Sequence, residues 1–163
     1  MKIRVLKLGI ACTDKATELK GTLTHWVINM EGFVNYLFQP RGLNEEGQPM
    51  DPIYLSVKRL DEVREDDFET VEVPFEIIGT KVTDKASGFT GMAVEFVRYI
   101  NGCFHVSIQP KGINSETKIP IQKRDFDLRS CTGKKIVELS KPKLAKSKKR
   151  APSPTGNIYH LIP

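Results

Sequence analysis

The side chains able to do covalent or metal chemistry are few and scattered. Cys12, Cys103 and Cys131 form no Cys-x-x-Cys pair, so neither a thiolate zinc site nor a disulfide framework is spelled out. His25, His105 and His160 make no His-x-x-x-His pattern, and no glycine-rich phosphate loop of the Walker type is present. Asp14 and Asp84, each followed by Lys-Ala, are carboxylates in matching surroundings. Neither has beside it the second acid, or the nucleophile with its base, that general acid–base or covalent catalysis requires. No catalytic, cofactor or metal site is expected, so the reading is of a non-enzyme without a small-molecule substrate.

The elements that carry these residues are duplicated. At a constant offset of 70, residues 9–44 align without a gap to residues 79–114, and 12 of the 36 positions are identical. Average residue usage would give about two. The run Thr13-Asp14-Lys15-Ala16 meets Thr83-Asp84-Lys85-Ala86, and Gly21, Val27, Gly32, Gln39, Pro40, Gly42 and Asn44 meet identical partners. Others swap like for like, Trp26 with Phe96 and Phe38 with Ile108. Beyond the loop from Glu45 to Asp51, the reading sets Lys58-Arg59 against Lys123-Arg124 at a shorter offset.

The repeat tests each candidate, because a reactive residue is not interchangeable with an inert one. Cys12 meets Val82 and Cys103 meets Phe33, which predicts buried thiols acting as small hydrophobes; Cys131 lies past the aligned stretch. His25 meets Glu95 and His105 meets Asn35, so neither is a repeated ligand. Asp14 and Asp84 are expected to accept backbone N–H bonds in Asx-type turns. Trp26 and Phe96 are expected in the core rather than on a base-stacking platform. Tyr36, Tyr54 and Tyr99 have no aromatic counterparts and mark surfaces that diverged after duplication.

Within each unit the pattern is that of strands and tight turns. Residues 21–29 and 91–99 are rich in β-branched and aromatic types and end in turns closed by Gly32 and Gly102. Asn101-Gly102 predicts a type I′ hairpin. Gly21 and Gly91 are assigned to turns as well. The strands 33–39 and 103–109 stop at Pro40 and Pro110. No apolar period of 3.6 residues runs for the length of a helix, so the expected class is all-β.

Gly79, Val82, Asp84, Gly88 and Gly91, with Gly9, Asp14 and Gly21 in the first unit, make each repeat resemble an SH3-like or KOW/Tudor-type barrel. That resemblance implies two tandem small barrels: residues 1–64, an acidic linker and connecting strand at 65–73, and residues 74–140. A basic, proline-containing arm at 141–163 follows. The string from Gly79 to Gly91, with Tyr99-Ile-Asn-Gly-Cys103 and Gln109-Pro110, also resembles small proteins of tailed bacteriophages, and implies a phage origin.

The 163-residue length excludes a large multidomain enzyme, and charges break every apolar run near Met1, so neither a signal peptide nor a membrane span is expected. The net charge of +5 suggests nucleic acid only until it is located. Residues 134–163 carry eight basic side chains against Glu138 alone, which leaves 17 basic against 19 acidic in residues 1–133. Lys134 to Ser140 reads as a further strand. The arm, with Lys146, Lys148, Lys149 and Arg150 followed by Ile158, Tyr159, Leu161 and Ile162, is expected to dock on a partner. The leading reading is a non-catalytic virion protein, associated with capsid, neck or tail. Its expected partners are other virion proteins, with itself as a homo-oligomer next. The alternatives are a KOW-like nucleic-acid binder using the basic tail, and an intracellular factor that inhibits a host system.

Overall fold

The computed structural model describes residues 1–140. It is mostly β, as the alternation of apolar and polar residues requires, and its sheets are open rather than closed into barrels. The first repeat contributes β1 (Lys2–Leu6), β2 (Ala11–Asp14), β3 (Lys20–Asn29), β4 (Val34–Pro40), β5 (Ile53–Leu55) and β6 (Leu60–Asp61). Next come β7 (Phe68–Glu72), β8 (Lys81–Asp84), β9 (Thr90–Tyr99), β10 (Phe104–Gln109), β11 (Arg124–Asp127), β12 (Cys131–Thr132) and α1 (Lys134–Ser140). In the first unit the strands pair in the order β6-β2-β3-β4-β5, and in the second β12-β8-β9-β10-β11.

The two units are fused through their longest strands. β3 pairs antiparallel with β9, so that Val27 faces Val97, its own counterpart at offset 70. On either side, Trp26↔Arg98 mirrors Ile28↔Phe96, and His25↔Tyr99 mirrors Asn29↔Glu95. A pseudo-two-fold axis therefore passes between the two valines, as in an isologous dimer whose halves share one chain. The second sheet pairs matched residues at one point only. In the β1–β7 ribbon Lys2 faces Glu72, again at offset 70. Ile3↔Val71 lies on one side, and Met1 exchanges hydrogen bonds with Val73 at 2.7 and 2.8 Å on the other.

The ribbon lies against the inner face of the ten-stranded sheet, and one core serves both repeats. Val5, Leu6, Val73 and Ile77 join Trp26, Ile28, Phe38, Phe96, Val106 and Ile108 in a single buried cluster. Tyr36, read as a surface position because it has no aromatic counterpart, is instead buried: its hydroxyl accepts the Leu6 N–H at 2.9 Å and so ties ribbon to sheet. Within the stretch 65–73, β7 completes the ribbon.

Several expectations are corrected. The repeat continues at offset 71, not at the shorter one: β5 corresponds to β11, the 3₁₀ turn Val57–Arg59 to Leu128–Ser130, and β6 to β12. The 43–49 loop is simply one residue shorter than 113–120, as the bridges Leu43↔Pro49 and Ile113↔Pro120 show. Lys134–Ser140 is a helix, with the half-buried Ile136 packed on the core and Lys135 paired to Glu138 at 2.9 Å. A short apolar run does not distinguish strand from helix.

The hairpin at Ile100-Asn101-Gly102 is not type I′. Only Gly102 has positive φ, at 83°, and Tyr99 accepts from the Gly102 N–H at 2.8 Å, which is a type I turn closed by a glycine bulge. Gly32 does the same at φ 84°. Gly21 and Gly91 sit inside strands rather than turns. A Cβ on either would stand 2.3 Å from the Gln39 carbonyl oxygen or 2.2 Å from that of Gln109, so glycine is there to let two strands close on each other.

Candidate functional site

The retained carboxylates come first, since their chemistry is the sharpest. Asp14 ends β2, is fully buried, and accepts from Arg59 Nε at 2.9 Å and Nη2 at 2.6 Å, from Thr17 Oγ1 at 2.6 Å and from the Ala16 N–H at 3.3 Å. The Arg59 guanidinium, helped by Thr17, holds its pKa down at about 2. Asp84 occupies the same place in the second unit, but its donors are the Ser87 N–H and hydroxyl and, at 2.8 Å, Ser130 Oγ. Those bonds also lower its pKa, Ser87 first. Both carboxylates staple the strand that ends on them to the 3₁₀ turn before the last strand, and their oxygens are taken up by these donors.

The outer face of the fused sheet is different. Three rows of side chains cross it. The first runs Tyr54–Leu37–His25–Tyr99 over β5, β4, β3 and β9. The second runs Asn35–Val27–Val97–His105 over β4, β3, β9 and β10. The third runs Asn29–Glu95–Ser107–Asp125 over β3, β9, β10 and β11. The dyad exchanges the first row with the third, yet no side chain is retained between them: an aromatic row on one flank answers an acidic and amide row on the other. Val27 and Val97, on the axis, form the floor and are identical.

Contacts knit this face together. His25 Nε2 lies 3.2 Å from the Tyr54 hydroxyl, and its ring centroid is 5.0 Å from that of Tyr99; Tyr99 in turn meets His105 edge-on at 4.7 Å. Ser107, buried, donates to Asp125 at 2.5 Å, while Glu95 pairs with Lys123. Burial, then the charge of Asp125, raises the pKa of Tyr54 and Tyr99, with Glu95 adding to the effect on Tyr54. Burial depresses that of His25 against the pull of Asp125. The acidic flank therefore acts across the floor on the aromatic one.

A second feature is duplicated rather than diverged. Gln39 and Gln109 each donate to two carbonyls across a loop, to Pro40 and Met50 at 3.3 and 2.7 Å, and to Pro110 and Ile121 at 3.2 and 2.6 Å. Asn44 and Asn114 each accept two backbone N–H groups beyond them. Each loop so braced presents an apolar side chain, Leu43 at 66% or Ile113 at 60% exposure, beside the exposed Arg41 or Lys111.

The thiols divide. Cys12 is buried, and its pKa is pushed up to about 11 by burial and then by Glu62. Cys131 is buried too and its pKa is raised by the same cause; at offset 71 it matches Leu60, a core residue, which the shorter offset concealed. Cys103, expected to be buried, is half-exposed because it closes the hairpin turn after Gly102, as the exposed Phe33 does after Gly32. Among the described residues no three His, Cys, Asp or Glu side chains gather as metal ligands, and no helix is long and apolar enough to cross a membrane. The arm residues Lys146, Lys148, Lys149, Arg150, Ile158, Tyr159, Leu161 and Ile162 lie outside the described residues.

Sequence reasoning flagged Tyr54 and Tyr99 as diverged surface positions but set His25 and His105 aside for lack of a counterpart, and so did not assemble the outer-face site. The signal available was that lack itself. No protein-family model, curated protein or solved structure matches the chain.

Proposed function

We propose that the protein is a non-catalytic assembly component of a tailed-phage particle, binding neighbouring protein subunits through duplicated loops on two fused units. The observation that carries the binding role is the pair of braced loops 39–44 and 109–114. Their internal hydrogen bonds account for Gln, Gly and Asn in both copies, and each loop leaves an apolar side chain in solvent beside a cation, the same pairing twice over. Two equivalent sites on a rigid dyad suit a partner that presents its own surface twice, as identical subunits of a particle do, and linked contacts multiply affinity without new chemistry. The virion location, other virion proteins as partners and the phage origin rest on the sequence resemblance.

The strand order of each unit, with a 3₁₀ turn before the last short strand, supports reading the repeats as open SH3-like units. The nucleic-acid alternative draws on basic residues outside those described, whereas residues 1–140 hold 19 basic side chains against 20 acidic. Mass spectrometry of purified particles tests the proposal: the protein is expected in stoichiometric amount. Its absence from particles, or unchanged incorporation of a Leu43→Ser, Ile113→Ser double variant that still folds, overturns it.

A further inference from the structure

We infer that the outer face at the dyad is a binding site for a guanidinium group, supplied by an arginine in a basic segment of a partner protein. This site is distinct from the braced loops, and the inference does not depend on where the protein resides. Three observations converge on it. First, the side chains that duplication left unmatched, His25, Tyr54, Tyr99 and His105, are brought by the register of five strands to one place across the axis. Most core positions kept an apolar side chain in both copies, Ile28 against Arg98 being an exception, whereas on this face the unmatched polar and aromatic side chains are gathered together.

Second, the composition is that of a cation site. Tyr54, exposed, and Tyr99, half-buried between His25 and His105, carry aromatic rings on one flank, and Asp125 and Glu95 carry carboxylates on the other. A planar cation stacks on the first and hydrogen-bonds to the second. Asp125 is exposed and takes one bond, from Ser107 at 2.5 Å, which leaves lone pairs for a ligand; Glu95 is already paired with Lys123 and contributes charge. Third, the floor is packed and pre-formed. Val27 and Val97 are 9% and 3% exposed although they point to the outer face, so the side chains around them are packed over the floor and held in place before a ligand arrives. Charge complementarity selects the occupant: an acidic flank facing aromatic rings disfavours nucleic acid and anionic lipid and favours a basic peptide.

The test uses the full chain and N-acetyl-arginine amide as the guanidinium probe, followed through the imidazole and tyrosine ring resonances in NMR. Saturable shifts of His25, His105, Tyr54 and Tyr99 are expected, with a weaker response to N-acetyl-lysine amide. Tyr99→Asn, which installs the residue the other copy carries, and Asp125→Asn are each expected to weaken binding about tenfold. Glu72→Gln, an equal charge change on the ribbon, should leave it unaltered. Failure of the probe to shift these resonances, or equal weakening by all three variants, overturns the proposal. Binding that emerges only after Lys148, Lys149 and Arg150 are changed to serine would show that the chain's own segment fills the site, and would overturn the assignment to a partner.

Discussion

The inner and outer faces of the fused sheet record the same duplication with opposite results. Inside, most counterparts kept their character: Trp26 and Phe96, Phe38 and Ile108, Cys12 and Val82, Leu60 and Cys131 are all buried and apolar, and Ile28 against Arg98 is the exception. Outside, His25 stands against Glu95, Tyr54 against Asp125 and Asn29 against Tyr99, and only Val27 and Val97 on the axis agree. Packing constrains both copies equally because one core holds both units, whereas the outer face is a single surface that needs only one good arrangement. Symmetry in this molecule is thus a property of what holds it together, and asymmetry of what it presents.

The largest expected effect breaks the shared core. Trp26→Ala and Phe96→Ala should each cost about 3–5 kcal/mol, and in either variant both units should unfold in one transition. Denaturant unfolding followed by two probes, one per unit, decides this; separated transitions would mean two cores instead of one. Next come Gly21→Ala and Gly91→Ala. Each new Cβ would collide with a backbone carbonyl oxygen, and forcing the strands apart should cost roughly 1–3 kcal/mol or more in both units alike. A silent Gly91→Ala would mean that β9 and β10 do not approach as closely as described.

The buried carboxylates sharpen the comparison where the units differ. Asp14 has an ordinary pKa of 3.8 and is held at about 2 when folded. Its contribution is therefore fully present above about pH 4 and is lost as pH falls toward 2. Asp84 is lowered by hydroxyl and amide donors, without an arginine. Asp14→Asn should flatten the acid limb of stability between pH 2 and 4 more than Asp84→Asn does, because the amide no longer attracts Arg59. Denaturation midpoints measured across that range check it; identical flattening would mean that Arg59 adds nothing to the staple.

Much of this was legible in the sequence, for stated reasons. The offset of 70 identified the units, and the alternation along 21–29 and 91–99 identified the strands that become β3 and β9. What alternation does not carry is pairing between strands far apart in the chain, so the dyad through Val27 and Val97 was invisible although both valines stood in the alignment. The same gap hid the outer-face site, whose residues come from five strands. The shorter offset around Lys58-Arg59 misled because two basic residues side by side are common on surfaces. The bridges at Pro49 and Pro120 fix the true register, and with it the place of Cys131 in the core.

The smallest expected effect is the exchange of the two central aromatics. The Trp26 indole N–H is buried without a hydrogen-bond partner, a cost of about 1–3 kcal/mol that the second unit avoids by having phenylalanine. Trp26→Phe removes that donor but leaves a small void beside Phe104, whose ring centroid lies 6.0 Å from the indole. A void of that size costs about as much as the donor's removal returns, so stability should change by less than about 1 kcal/mol. The reverse exchange has no such compensation: Phe96→Trp adds both volume and an unpartnered N–H to a filled site and should cost about 1–3 kcal/mol. Equal losses from the two exchanges, measured by denaturant unfolding, would show that the core treats its halves alike. Unequal losses would show that even inside, where the copies agree in type, each half is fitted to its own residue.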